Sequence, residues 1–447
     1  MKWTLIHVLL GAITTVSPWF FVVYFYAVFF LNMGKAWKSI RKGSITLFAL
    51  TFSYLISFEL LARVTRSYPF IPTEYVKYFM VSIGLYTFYL SPRKGNRVGI
   101  AMLLLMVPAL LFDMSGVRLW VDVVNCVFGA LALAVGVVLF GSYKPSDILI
   151  SRILRLMWLA QVALVVNIFI KTPDLEQLEF TVKAMTSTAG GASSNQASTI
   201  LGMGIFLSFY SIYTGESFSG RRILDIAFLL LFSYQGLLTF SRGGMVVAVI
   251  AIIMMIFTTK SAIKTGGNSG GFRPASLIYL VLGAFILAGA YNIIDKASGG
   301  KLSLRYQGET EGTSAGNVEK DANKITSGRS TIFEEDIAIW EEYPIFGGGA
   351  GSSMNLHAEM NGVIPHIELS RLLAEHGILG IVYFALILWI GWTAWESRKK
   401  YALGNLIFIL YTIGLLTSFH SAMRTYVTPF LIALSAMAMA PVKKTTA

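Results

Sequence analysis

The sequence predicts an all-α polytopic membrane protein, with about 12 to 14 transmembrane helices and one large, partly helical outer loop. Three observations predict it. Hydrophobic residues make up 55% of the 447 and charged ones only 13%, roughly half the charged share of a soluble chain; mean hydropathy is +0.65. Apolar runs of membrane length recur along most of the chain. One polar island, from Asn292 to about His366, interrupts them, and it holds, with the turn that follows, more than half of the 24 acidic residues. Loops held by a rigid scaffold are where chemistry tends to sit.

Residues 3–33 read as one long helix or as two short ones broken at Ser17-Pro18, because proline removes a backbone donor. The apolar stretch runs on past Phe30 with no small-residue cleavage site, so it is expected to be membrane helix and not a cleaved leader. Further spans are expected near 44–62, 74–90, 98–113, 118–141, 152–171, 196–213, 223–240, 243–258, 275–294, 376–395, 403–420 and 423–441. Each approaches the ~20 apolar residues that a bilayer requires. The division expected is a transmembrane region at 1–294, an outer loop at 295–368 and C-terminal spans at 369–447.

Net charge is +12. In a soluble chain this would suggest nucleic acid; here no nucleic acid is expected, because lysine and arginine hold cytoplasmic loops against anionic membrane lipids. Alternate connections carry the excess: Lys35, Lys38, Arg41 and Lys42; Arg93, Lys94 and Arg97; Lys144, Arg152 and Arg155; Arg221-Arg222; Lys260, Lys264 and Arg273; Arg398-Lys399-Lys400; Lys443-Lys444. The positive-inside rule places these in the cytoplasm. The connections between them then lie outside: 63–74, 114–117, 172–195, the turn at Arg242, the large loop and the turn at Arg424. Arg242, Arg329, His366 and Arg424 thus converge on one face. Anchoring helix ends to headgroups is the plain alternative for Arg242 and Arg424. The single cysteine, Cys126, allows neither an intramolecular disulfide nor a metal cluster.

Within the loop, Ser327 to Trp340 reads as a short amphipathic helix, with Ile332, Phe333, Ile337 and Trp340 on one stripe and Glu334, Glu335 and Asp336 opposite. Pro344 stops it. Gly347 to Gly351 then makes a turn; without a Walker lysine it reads as a plain turn and not a phosphate cradle. Pro365 opens a helix through Leu369, Leu372 and Leu373 to Gly377, expected to run into the next span. His366 stands at its N-terminus, where the macrodipole disfavours imidazolium. A neutral ring suits a general base; a structural hydrogen bond is the alternative. Arg371, five residues on, does not share a face with His366 automatically. His357 has no second metal ligand at helical spacing, and His376 reads as structural. The carboxylate pairs Asp174/Glu176 and Glu309/Glu311 are the outer patterns that could serve a metal. Neither a metal nor any other cofactor is expected.

Three ordered motifs carry a family resemblance: Thr239-Phe240-Ser241-Arg242-Gly243-Gly244; Ser327-Gly328-Arg329 with Trp340, Tyr343-Pro344 and the glycine run; and His366 with Leu369, Leu373, Glu375, Gly377 and Gly380. On these the chain resembles the bacterial O-antigen ligase and O-antigen polymerase superfamily over roughly 239–380; the N-terminal half resembles it only in hydropathy. Ile367 stands where many members have asparagine, so Glu368 or Glu375 would have to supply the histidine's partner. The resemblance implies a GT-C-like polytopic glycosyltransferase of the bacterial inner membrane, its site facing the periplasm. It implies a glycan on undecaprenyl diphosphate as donor, His366 and Arg242 as catalytic, and Arg242 and Arg329 as binding the diphosphate or glycan. Topology adds Arg424 to that binding set, and Arg371 is carried with it. The acceptor expected is lipid A-core, as in a ligase; a growing glycan, as in a polymerase, is the alternative. The absence of a large extra C-terminal domain disfavours a protein-modifying type. A transporter or flippase for the same lipids is the rival class, with Glu59 as its one acidic residue well inside a span. The clustering of polar groups at one face, and the lack of an internal repeat, favour a surface reaction.

Overall fold

The computed structural model describes residues 1–111, 126–258, 274–309, 329–357, 359 and 367–440. No strand occurs among the described residues. The helices in chain order are α1 (Lys2–Ile13), α2 (Trp19–Arg41), α3 (Thr46–Ile56), α4 (Glu59–Val64), α5 (Tyr75–Leu90), α6 (Arg97–Met106) and α7 (Phe128–Phe140). They continue with α8 (Asp147–Lys171), α9 (Ser194–Thr214), α10 (Arg222–Leu238), α11 (Arg242–Thr258), α12 (Pro274–Ala297) and α13 (Lys301–Tyr306). The last are α14 (Arg329–Glu342), α15 (Ser352–Asn355), α16 (Glu368–His376), α17 (Ile378–Ser397), α18 (Gly404–Ser421) and α19 (Val427–Ser435).

Six helices among the described residues are long and apolar enough to cross a membrane: α2, α3 joined with α4, α8, α9, α17 and α18. Shorter apolar helices at Lys2–Ile13, Arg97–Leu110, Phe128–Phe140, Arg242–Thr258 and Val427–Met439 accompany them. The chain is an all-α polytopic membrane protein. The break at Ser17-Pro18 separates α1 from α2, so the first apolar stretch is two helices, the second of them 23 residues long. Part of the span expected at 118–141 and all of 114–117 lie outside the described residues, as does His366.

The chain divides into two units. One comprises Met1–Phe30, Ser53–Thr73 and Arg152–Ser330. Its centre is α9, which packs on α10 and α11, while α10 also packs on α12. The contact of α9 with α11 is made through glycine: a methyl placed on Gly244 would lie 2.1 Å from the Ser198 carbonyl oxygen, and one on Gly202 would lie 2.3 Å from that of Gly244. Small residues let membrane helices approach closely. Glu59, the intramembrane acid, is ion-paired to Arg63 at 2.7 Å, and Arg63 also donates to Gln196 and to Thr73 O.

The other unit comprises Leu31–Phe52, Glu74–Ser151 and Thr331–Ala447. Here α7 packs against α5, α6 and α19, and α17 against α16, α18 and α19. Phe52, Phe140 and Phe430 meet at ring-centroid distances of 5.9 to 6.5 Å in its core.

Two loop expectations change. The helix that follows Pro365 does not run on into the span. Gly377 stands between α16 and α17 at φ +58, ψ −137, a conformation that glycine adopts without a Cβ penalty. The bend lets the two helices fold on each other, and a methyl on Gly377 would meet Ile345 and Gly347 backbone within 2.7 Å. In α14 the buried residues are Ile332, Asp336 and Ile339. Asp336 turns inward, while Phe333 is 41% exposed, because the acid has a partner inside.

Candidate functional site

In the first unit the Thr239–Arg242 motif forms a tight turn between α10 and α11. Phe240 takes φ +54, in the left-handed region that a bulky side chain rarely occupies. Surrounding bonds impose it: Met185 N donates to Thr239 O at 2.9 Å, Ser241 N to Thr239 Oγ1 at 3.2 Å, and Ser241 Oγ to Asn195 Oδ1 at 2.9 Å. Ser198 Oγ donates to Ser241 Oγ at 2.9 Å. Arg242 therefore leaves a turn fixed from three sides.

Arg305 comes to the same turn from the start of the polar island. It is 9% exposed, and its Nε donates to Phe240 O at 3.4 Å. The helix that carries it is held to α12 by Asp295, which accepts from Ser303 N at 2.8 Å and from Ser303 Oγ at 2.7 Å. Tyr291 OH donates to Ser303 Oγ at 2.9 Å, and the rings of Tyr291 and Tyr306 meet edge to face at 5.8 Å. Lys301 donates to Phe180 O.

Arg242, Arg305 and Arg329 are close enough for their charges to repel. Burial, then the charges of Arg242 and Arg329, push Arg305 down to about 10. Burial, then Arg242, push Arg329 below the usual guanidinium range. All three stay charged at neutral pH. Arg305 was not expected from the sequence. The signal was its spacing: Leu302 and Arg305 lie three apart on a short helix, hence on one face, and Leu302 is fully buried.

An apolar groove runs along α11 in this unit. Two cavities, of about 450 and 330 Å³, share Ile205, Val249 and Leu287. The first follows α11 from Met245 to Ile250 and is bounded by Tyr291 and Tyr306; the second continues to Phe257. Tyr306 is within electrostatic reach of Arg242, so Arg242 lies near the Tyr306 end of the groove.

The second unit holds the other candidates. Arg371 is 3% exposed and lies in a buried cluster. It donates to Glu368 Oε1 and to Cys126 O, and Glu375 Oε2 is 3.7 Å away. Glu368 Oε2 accepts from Met423 N at 3.0 Å. Met423 immediately precedes Arg424, which is half-buried. Burial pushes Glu375 up to about 7, against the pull of Arg371. Arg371 is thus engaged inside the protein, and Glu368 braces the turn that presents Arg424.

His357 Nε2 donates to Asp336 Oδ1 at 2.9 Å, Ser353 Oγ donates to the same oxygen, and Glu335 lies 3.4 Å from His357 Nδ1. This buried cluster ties α14 to α15 and explains the inward turn of Asp336. The glycine run is a structural turn: Gly347, Gly349 and Gly351 have positive φ, Gly348 N donates to Ala374 O at 2.8 Å and Ala350 N to Ala109 O at 3.0 Å. Those N–H groups are thus committed to protein carbonyls. His376, 1% exposed at the end of α16, lies in the interior. Among the described residues no group of three or more His, Cys, Asp or Glu could hold a metal ion.

No curated protein gives a significant match to the chain. Residues 226–385, which contain Arg242, Arg305, Arg329 and all of α16, match the family model described as O-antigen ligase, and this supports the resemblance to the O-antigen ligase and polymerase superfamily over that stretch.

Proposed function

We propose that this chain is an O-antigen ligase of the bacterial inner membrane. It moves a glycan from undecaprenyl diphosphate to a sugar hydroxyl of lipid A-core at the periplasmic face. The observation that carries the reading is the gathering of Arg242, Arg305 and Arg329, with Arg242 near one end of an apolar groove. A diphosphate placed among three guanidinium groups would be attracted by all of them. Guanidinium forks match phosphate oxygens in pairs and stay charged. The groove beside them suits an isoprenoid chain.

In this mechanism neutral His366 takes the proton of the acceptor hydroxyl. The oxygen attacks the anomeric carbon from the face opposite the diphosphate. A new glycosidic C–O bond forms, the bond to the diphosphate oxygen breaks, and the anomeric configuration inverts. The leaving diphosphate keeps the electron pair, and the arginines stabilise that charge as it develops. The diphosphate ester already stores the driving force, so the reaction proceeds without a metal; full turnover in excess EDTA is the expected result, and loss of turnover reversed by a divalent cation would refute it.

A deletion strain carrying wild-type or His366→Ala protein tests the whole reading, by lipopolysaccharide gels with analysis of lipid-linked glycans. A ligase defect leaves bare core, with polymer accumulating on undecaprenyl diphosphate. Core capped by a single repeat unit would instead mean a polymerase. A wild-type ladder from His366→Ala would remove the base assignment and return the transporter reading. Against that reading, the Glu59 carboxylate is already paired with Arg63.

A further inference from the structure

Three basic connections of the second unit meet at a cavity unrelated to the arginine cluster. Its volume is about 510 Å³. Ser44 comes from the α2–α3 connection and Thr46 from the start of α3, Arg93 from α5–α6, and Lys144 and Ser146 from α7–α8. Arg93 is already set in place. Its guanidinium carbon lies 4.5 Å from the centre of the Tyr143 ring, and Nη1 donates to Ser142 O at 3.1 Å. Tyr143 is itself fixed by a 2.9 Å bond between its hydroxyl and Ser91 Oγ. Arginine carries five N–H donors, so most of the fork remains for a ligand. Lys144 is exposed at the same rim. Asp147, at the head of α8, is exposed and is not part of the lining.

The cavity is not purely polar. Ile45, Leu149 and Ala440 form an apolar wall, and the adjoining Ile148 is 65% exposed. Such a site, at the ends of apolar helices and within the basic connections, sits where phosphate headgroups meet acyl chains on the positive-inside face. Basic pockets at this depth are suited to anionic headgroups. A free phosphate would gain nothing from the apolar wall.

We propose that this cavity binds the phosphate headgroup of an anionic phospholipid of the cytoplasmic leaflet, held by Arg93 and Lys144. Occupancy would fasten three connections of the second unit together. The test uses the full chain in nanodiscs of phosphatidylcholine, with phosphatidylglycerol added stepwise, and follows the unfolding temperature. A ligand that binds only the folded state raises it. Phosphatidylglycerol is expected to raise the wild-type midpoint by several degrees. Arg93→Gln/Lys144→Gln should lose at least half of that gain, and Lys35→Gln/Lys38→Gln, which removes the same charge elsewhere in the unit, should keep it. Equal gains for the Arg93/Lys144 variant and wild type would overturn the site. So would an equal loss in the Lys35/Lys38 variant, which would mean diffuse attraction. An equal rise from inorganic phosphate alone would mean a soluble anion and would exclude the lipid. If the double variant fails to fold, the exposed Lys144→Gln decides by native mass spectrometry: retained phosphatidylglycerol at the wild-type number per chain overturns the site, and a lower number supports it.

Discussion

Gly244→Ala tests how the site is held. The added methyl would lie 2.1 Å from Ser198 O and 2.2 Å from its carbonyl carbon, where ordinary contact begins at 3.4 Å. Both obstacles are backbone, so no side chain can turn aside. The helices α9 and α11 must part locally by about 1.3 Å, the shortfall from that contact distance. Forced overpacking costs about 1–3 kcal/mol, offset in part by the better helix propensity of alanine, about 1 kcal/mol. Net stability should therefore fall only modestly. Activity should fall much further, because Arg242 leaves the same helix two residues earlier, and a displacement of 1 Å at a reacting centre can cost about 10²-fold. The assay is transfer of lipid-linked glycan to acceptor in purified membranes, alongside thermal unfolding in detergent. Gly289→Ala is the control: a methyl there, in α12, meets nothing within 4 Å, and wild-type transfer is expected. Wild-type transfer by Gly244→Ala would refute the claim that this helix crossing sets the position of Arg242.

Further outcomes follow from the same geometry. Arg305→Gln should lower transfer by about 10²-fold, as loss of a preorganised donor to developing charge does, with protein level unchanged; Arg305→Lys should not restore it, because an ammonium lacks the planar fork. Arg371→Ala should cost about 3–5 kcal/mol of stability, seen in thermal unfolding, because it leaves Glu368 buried without its ion pair. The Glu375 carboxyl is held at about 7 in the folded chain against 4.5 as the ordinary value, so its contribution to stability is full below pH 4.5 and is lost as pH rises through 7. Glu375→Gln should therefore flatten the fall in unfolding temperature across that window, and an unchanged pH profile would contradict the buried placement.

Much of the helical order was legible because apolar runs and proline report directly on membrane spans. The starts of α5, α8, α9, α10, α11 and α12 fall within a few residues of the hydropathy boundaries. Gly377 shows what hydropathy misses: Leu372, Leu373 and Ile378 continue the apolar spacing across it, while backbone conformation alone decides the bend. Asp336 shows a second gap. A carboxylate reads as solvent-facing until its partner is known, and His357 lies 21 positions away. Of the three neighbouring arginines, Arg242 and Arg329 stand out in the sequence by motif and loop position. Arg305 was not, because the burial of a cation depends on a turn at Phe240 that is remote in sequence.

The hydrogen bond from Met423 N to Glu368, with the contact of Arg371 to Cys126 O, bears on how this loop can be exchanged. Three stretches far apart in the chain share one buried lock. A chimaera that transplants 295–376 from a relative carries only one part of it, and the recipient's residues near 126 and 423 must fit a foreign Glu–Arg pair. Loop transfer should therefore preserve folding only when all three stretches travel together. The C-terminal end of the segment that looks most modular in the sequence is locked through Glu368 and Arg371 to residues far from it in the chain.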